Sequence, residues 1–294
     1  MINEGVNQHY AKIKRILIAI LGLNWAVALA KIVYGLYTHC NSMTADGFHS
    51  LSDGTSNIIG LIGIHIASKP RDINHPYGHK KYETFFTLGI AGLLLTVSMS
   101  LIGKGISRFF DPVTPKIDII SFLVMLFTLA VNLAVMNYEY NKGKLLQSDI
   151  LISDSLHTKA DIFISLSVII TLIAIKLGYP IILDPIVTVV IALFIVFAAF
   201  KIIRKSAQVL CDTVVADTQK ISDVVLGIKG VRACHKIRTR GRPDDINLDL
   251  HVQVNPDMHI DKAHELSSTI EETIKREIPQ ITDVVVHMEP KEKG

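Results

Sequence analysis

Asp46, His49 and Asp53 in ADGFHSLSD and Asp154, His157 and Asp161 in DSLHTKAD repeat one pattern, D-x-x-H-x-x-x-D. Residues three and four apart share a helix face, so each octad aims an imidazole and carboxylates the same way. Both octads lie in long, mostly apolar stretches, where an ionised Asp costs at least ~2.5–3.5 kcal/mol on insertion scales and must face a partner or a cavity. Two readings follow. Each pair hydrogen-bonds a neighbouring helix, or His49, Asp53, His157 and Asp161 meet as two nitrogens and two carboxylates, a set that tetrahedral Zn2+ accepts at about 2.0–2.2 Å. Repetition at matching depth favours the second. Asp46 and Asp154 then shape the access paths toward the outer and the cytoplasmic mouth, or serve as helix-end carboxylates in the headgroup region.

The elements that must position these residues are apolar runs at about 15–37, 42–66, 83–103, 117–138, 149–175 and 181–203. Each is near the ~20 residues that a helix needs to cross the hydrocarbon core. Six spans make the second and fifth antiparallel, so the two octads come from opposed halves, as in an inverted repeat. Lys12, Lys14, Arg15, Lys69, Arg71, Lys80, Lys81, Lys142, Lys144, Lys201, Arg204 and Lys205 fall on one side, and only Lys104, Arg108, Lys116 and Lys176 on the other. The positive-inside rule therefore puts both termini in the cytoplasm, although the loop after the third run fits it poorly. The polar start MINEGVNQHYAKIKR is followed by a run too long for a signal-peptide core, so the first span is read as permanent.

With 49% hydrophobic and 19% charged residues in 294, and a mean hydropathy of +0.39, the chain is a bundle of spans plus a soluble piece. The formal net charge of +3 is small and gathers in no basic stripe, which argues against a nucleic-acid partner. Cys40, Cys211 and Cys234 form no CxxC pair, so the metal question falls on His and carboxylates. The expected division is a transmembrane domain over 1–207 and a small cytoplasmic α/β domain over 208–294. In the latter, Ile246–Val254 alternates as a half-buried strand with His251 on its polar face, Leu266, Ile270 and Ile274 mark a helix over 261–277, and Val284–Glu289 alternates as a last strand. The order helix, strand, strand, helix, strand suggests a sheet with its helices on one face.

In the loop SKPRDINHPYGHKKYE, Asp72, His75 and His79 bring a carboxylate and two imidazoles within eight residues, with Pro76 and Gly78 bending the chain between them. Three such ligands suit an exposed metal; the alternative is a polar loop whose histidines cap or hydrogen-bond. His9, His39, His65 and His259 have no partner in sequence and are read as ordinary edge or surface residues.

Over nearly its full length the chain resembles the cation diffusion facilitators, a family of divalent-metal/proton antiporters. Its HxxxD motifs in the second and fifth spans match the family's transport site, and DxxHxxxH is similar to the family's loop site. The resemblance implies six spans, cytoplasmic termini, a ferredoxin-like carboxyl-terminal domain and a homodimer. It also implies that His235, His251, His264, His287 and Glu289 bind metal in that domain, with Glu289 replacing the family's more common aspartate. Lys81 and Asp212 match positions of an interlocking salt bridge; on charge alone, each is an exposed residue worth under ~1 kcal/mol. Two His and two Asp resemble the zinc carriers, whereas bacterial zinc, cadmium and iron exporters often have DxxxD where His49 stands.

Imidazole at that position tilts the site toward Zn2+ and away from Mn2+ or Mg2+, without excluding Co2+, Ni2+ or Fe2+. Metal needs neutral imidazole and ionised carboxylate, so metal and protons compete, and histidine titrates near ~6.5. The expected function is Zn2+ efflux against protons by alternating access in a multi-pass membrane protein, placed in the inner membrane if the cell is bacterial. The alternatives are an Fe, Mn, Co or Cd exporter of the same kind, a selective channel, or a membrane-anchored sensor that binds metal without carrying it. An enzyme is not expected: HxxxD lacks the glutamate base of HExxH, and there is no nucleophile elbow or phosphate loop.

Overall fold

A computed structural model describes residues 2–37, 41–110, 119–176 and 183–291, and the chain divides into two compact units, Met1–Ser206 and Ala207–Gly294. The first is built on α1 (Ile2–Tyr37), α2 (Asn41–Ala67), α3 (Lys81–Phe110), α4 (Ile119–Leu145), α5 (Asp149–Lys176) and α6 (Leu183–Leu210), the last running on into the second unit. α1 starts well before its apolar run. Tyr10, Ile13, Leu17 and Ile20 carry one helical stripe back into the polar leader and are buried in one core with Ile64, Ile90 and Ile150.

Among the described residues, four stretches are long and apolar enough to cross a membrane: Gln8–Tyr34, Lys81–Phe110, Phe122–Leu145 and Pro185–Leu210. α2 and α5, with 27 and 28 residues, also have the length to cross a membrane, and they carry the octads. A Cβ on Gly47 would stand 2.9 Å from the Ile32 amide nitrogen and 3.1 Å from the Ala28 carbonyl oxygen; one on Gly54 would stand 2.6 Å from the Trp25 indole nitrogen. α1 and α2 therefore meet closely at two glycines two turns apart, a contact that only small residues allow. The second of these adjoins Asp53.

The start of α5 is held from outside. The Ser148 hydroxyl accepts from the Leu151 amide at 3.4 Å and donates to the buried carboxylate of Glu83 on α3 at 2.7 Å. The Ile150 amide donates to the same Glu83 oxygen at 3.5 Å, and Lys205 on α6 pairs with Asp149 at 2.6 Å. Carboxylate at a helix N-terminus satisfies amides that the helix itself leaves open and complements its dipole. α5 is thus pinned one turn before its octad begins.

The second unit contains α7 (Thr218–Leu226), β1 (Ala233–Arg242), β2 (Asp245–Val254), α8 (Ile260–Glu277) and β3 (Ile281–Pro290). The strands order β1-β2-β3, with β1 and β2 antiparallel and β2 and β3 parallel across α8. Ile221 and Val225 of α7, Leu248, Leu250 and Val252 of β2, and Ile270 and Ile274 of α8 form its core. Asp217 caps α7 through the Gln219 and Lys220 amides, and His259 caps α8 through the Asp261 amide. The register sets His235 opposite His251 and His251 opposite His287, so three histidines form a row across the sheet.

Candidate metal centres

The helical unit contains a partly open cavity of about 280 Å3 lined from α1, α2, α4 and α5. Asp53 reaches it from α2, and His157 and Asp161 from α5; one ligand atom of each lies within 4.8 Å of the others. His157 is only 6% exposed, and neither of its ring nitrogens has a hydrogen-bond partner. The ring lines the cavity, so its nitrogens face that space and not a protein donor among the described residues. Asp46 and His49 belong to α2, but their side chains lie outside the described residues. Asp154 also lines the cavity and accepts from the Asn57 amide, whose own oxygen accepts from Asn24 at 3.2 Å.

Lys31 on α1 also lines this cavity, is buried, and donates to the Ser50 hydroxyl at 3.0 Å. It and Glu139 on α4, which is wholly buried, escape a search for spaced motifs. Both answer a simpler question: which ionisable residues interrupt an apolar run.

In the loop, Asp72, His75 and His79 bring ligand atoms within 4.8 Å of one another. Asp72 Oδ1 accepts from the His75 amide at 2.7 Å and lies 3.1 Å from His75 Nδ1. His79 Nδ1 lies 3.0 Å from the Pro70 carbonyl, which can only accept, so this nitrogen carries the proton in that bond. Nε2 is thereby left bare, 3.4 Å from Asp72 Oδ2, as a metal-binding histidine requires. The turn relies on Gly78 at φ +87°, the left-handed region that glycine favours. Desolvation pushes the Asp72 carboxyl up, but the His75 amide and ring together with the charges of His75 and His79 outweigh it and hold the group below its usual value.

On the cytoplasmic sheet, His235, His251 and Glu289 likewise meet within 4.8 Å. Glu289 lies 2.6 Å from His251 Nδ1, 3.2 Å from His235 Nε2 and 3.7 Å from His287 Nε2. The hydrogen bond with His251 chiefly, then the charges of His251, His235 and Lys236, hold its carboxyl below the usual value against partial desolvation. The His251 and His287 ring centroids lie 4.6 Å apart with their planes tilted by 50°. His264, on the exposed side of α8, is not in this group. Lys81 opens α3 in the first unit, while Asp212 follows α6 in the second with a φ of 55°.

Residues 17–211 match the model of the cation efflux transmembrane domain, and residues 215–291 that of the cation efflux protein cytoplasmic domain. An uncharacterized transporter of Methanocaldococcus jannaschii, MJ0449, is 30% identical over 94% of this chain and 97% of its own. The manganese efflux system protein MneS of Bacillus subtilis is 28% identical over 90% of each chain. The cation-efflux pump FieF of Shigella boydii is 25% identical over 97% of this chain and 95% of its own. Among solved structures, a MamM CTD variant is 25% identical over 26% of this chain and 94% of its own, with a TM-score of 0.25.

Proposed function

The chain belongs to the cation efflux family, a family of divalent-metal transporters and not of enzymes, and on that premise we propose that it exports Zn2+ from the cytoplasm in exchange for protons. The observation that carries this reading is the cavity in which Asp53, His157 and Asp161 converge while neither His157 nitrogen has a hydrogen-bond partner among the described residues. His49, four residues before Asp53 on α2, supplies the fourth ligand. Binding requires two neutral imidazoles and two carboxylates, so arrival of metal releases protons and arrival of protons releases metal. All six long helices cross the membrane, both termini are cytoplasmic, and two copies of the chain pair; in a bacterial cell the membrane is the inner one. Asp46 and Asp154 shape the outer and cytoplasmic approaches.

The loop triad and the cytoplasmic cluster around Glu289, with His287 at its margin, take metal on the cytoplasmic side and report its level. Lys81 and Asp212 interlock at the junction of the protomers. A sensor that never transports would gain nothing from an unpaired imidazole inside the bilayer. Manganese is the second reading for the cargo, favoured by the similarity to MneS.

Flux into proteoliposomes under an imposed pH gradient tests the proposal, with Zn2+, Cd2+, Fe2+ and Mn2+ compared. Zn2+ moving against protons, with flux lost in Asp53→Ala and Asp161→Ala, is the expected result. Binding without flux or proton movement under any gradient sinks the exporter; faster Mn2+ than Zn2+ keeps the exporter and changes its cargo.

A further inference from the structure

Glu139 on α4 is 0% exposed, and its Oε1 has no hydrogen-bond partner. Its other oxygen is 3.3 Å from the Thr158 hydroxyl, which lies equally far from the Asp154 carbonyl. One hydroxyl proton serves only one of these acceptors well at a time. The neighbour of Glu139 is a second carboxylate, Asp154 on α5, itself 1% exposed. Asn57 donates to Asp154, and because the Asn57 oxygen is taken by Asn24, the amide is fixed with its nitrogen toward the carboxylate. No Lys or Arg pairs with either acid among the described residues. Two buried acids thus lie within hydrogen-bond reach of each other, Asp154 with the Asn57 amide as donor and Glu139 with only a shared hydroxyl.

Two ionised carboxylates repel one another and each is expensive in an apolar bundle, so the pair is kept either with one proton shared between its members or with a cation in that proton's place. Asp154 and Thr158 also line the cavity, so an ion in the cavity can reach the pair. The α4–α5 turn sets Glu139 level with Asp154, and along α5 Asp154 precedes His157 by three residues and Asp161 by seven. All three acids and bases therefore share a face, with Asp154 about 4.5 Å of helix rise from His157.

We propose that Glu139 and Asp154, with Thr158, form a second divalent-cation site made only of oxygen, from which an ion passes to Asp53, His157 and Asp161. The inference rests on reading the first unit as a carrier. In the proposed orientation the site lies on the cytoplasmic side of the transport cluster. Its donors are carboxylate and hydroxyl, so it takes a partly hydrated, oxygen-preferring ion such as Mn2+ or Mg2+ more readily than a thiophilic one. Metal arriving from the cytoplasm meets oxygen first and exchanges water and carboxylate for imidazole one turn deeper.

Mn2+ is the probe, bound to the full-length chain in lipid nanodiscs and read by electron spin resonance for coupling to nitrogen nuclei. The background carries His75→Ala and His251→Ala to silence the exposed clusters, and Asp53→Ala with Asp161→Ala to silence the transport cluster. One Mn2+ per chain, free of nitrogen coupling, is expected to remain. Adding Glu139→Gln, nearly isosteric, weakens that ion by about 10- to 100-fold or more, while Glu139→Asp retains it; Asp154→Asn gives the same loss should Glu139→Gln fail to fold. No remaining ion, an ion coupled to nitrogen, an ion indifferent to Glu139→Gln and Asp154→Asn, or a change in proton uptake alone overturns the site. Failure of the carrier reading looks different: with Asp53 and Asp161 intact, it shows as absence of the nitrogen-coupled intramembrane ion.

Discussion

In the helical unit both nitrogens of His157 are buried and unpaired, whereas on the cytoplasmic sheet His251 lies 2.6 Å and His235 3.2 Å from one glutamate. The donor types are nearly the same. What differs is the surrounding medium and the cost of standing empty. The cytoplasmic residues are half-exposed, so water and mutual hydrogen bonds satisfy them without metal, and a metal must displace those bonds and a proton. The intramembrane imidazole has no bond to give up. Its nitrogens face the cavity, so an ion arriving there displaces no protein hydrogen bond among the described residues. The cytoplasmic cluster is thus held together at rest by its own hydrogen bonds, whereas His157 is held in place by the helix that carries it.

The largest effect that would break this contrast is at the transport cluster. His157→Ala, Asp53→Ala and Asp161→Ala each reduce Zn2+ flux by more than the roughly 10- to 100-fold typical of losing an outer-shell partner. His157→Ala nevertheless leaves the melting temperature of the metal-free protein nearly unchanged, because the lost packing is offset by removal of two unmet nitrogens. A fall of many degrees in that melt shows that the ring is paired in the resting protein, and the contrast is lost.

The cytoplasmic cluster behaves in the opposite sense, as a site where metal adds stability and substitution leaves transport residues intact. At free Zn2+ of 100 times Kd, binding to the native state alone adds about 2.7 kcal/mol to the second unit's unfolding free energy. His251→Ala removes most of that gain, and zinc-dependent denaturant unfolding, monitored on full-length protein, measures it. A gain undiminished in His251→Ala places the stabilising metal elsewhere.

Glu83 sharpens the comparison from outside both clusters. Glu83→Ala strips the buried Ser148 hydroxyl and the Ile150 amide of their acceptor, costing about 1–3 kcal/mol in the first unit. It also loosens the start of α5, so Zn2+ flux falls although no ligand is touched, while the zinc response of the cytoplasmic cluster stays as it was. Thermal unfolding and flux, read on one preparation, separate these outcomes. Flux unchanged at reduced stability means that α5 is located by its apolar packing alone.

These side chains mark what the sequence could and could not disclose. The convergence of Asp53 with His157 and Asp161 was legible because His and Asp recur at helical spacing in both octads, and β2 because Ile246–Val254 alternates without a break. The soluble cluster was legible only through resemblance. Alternation puts His251 and His287 on polar faces, but it does not say that β2 pairs with both β1 and β3 in a register that lines the histidines up. The same resemblance grouped His264 with them, and the exposed face of α8 does not bring it there. Glu83, Glu139, Lys31 and Asn57 stand alone in their segments, and their partners are supplied by helix packing across long separations. α1 reaches back to Ile2 because the apolar stripe of Tyr10 and Ile13 outlasts the mean hydropathy that marks a span.

The smallest effect, and the one that tests the cytoplasmic half of the contrast, is pH dependence without metal. His251 and its neighbours hold the Glu289 carboxyl below its reference value of 4.5 in the folded protein. A depressed acid favours folding wherever it is ionised in the native state. The contribution is therefore fully present above about 4.5 and disappears as pH falls through the lower native value. Glu289→Gln flattens that acid limb of the unfolding profile, and at neutral pH it lowers stability only slightly because the group is solvated. A second-unit acid limb of the same steepness in Glu289→Gln means that the histidines do not lean on this carboxylate at rest. The cytoplasmic cluster would then stand as open as His157, and the difference between the two regions would reduce to burial alone.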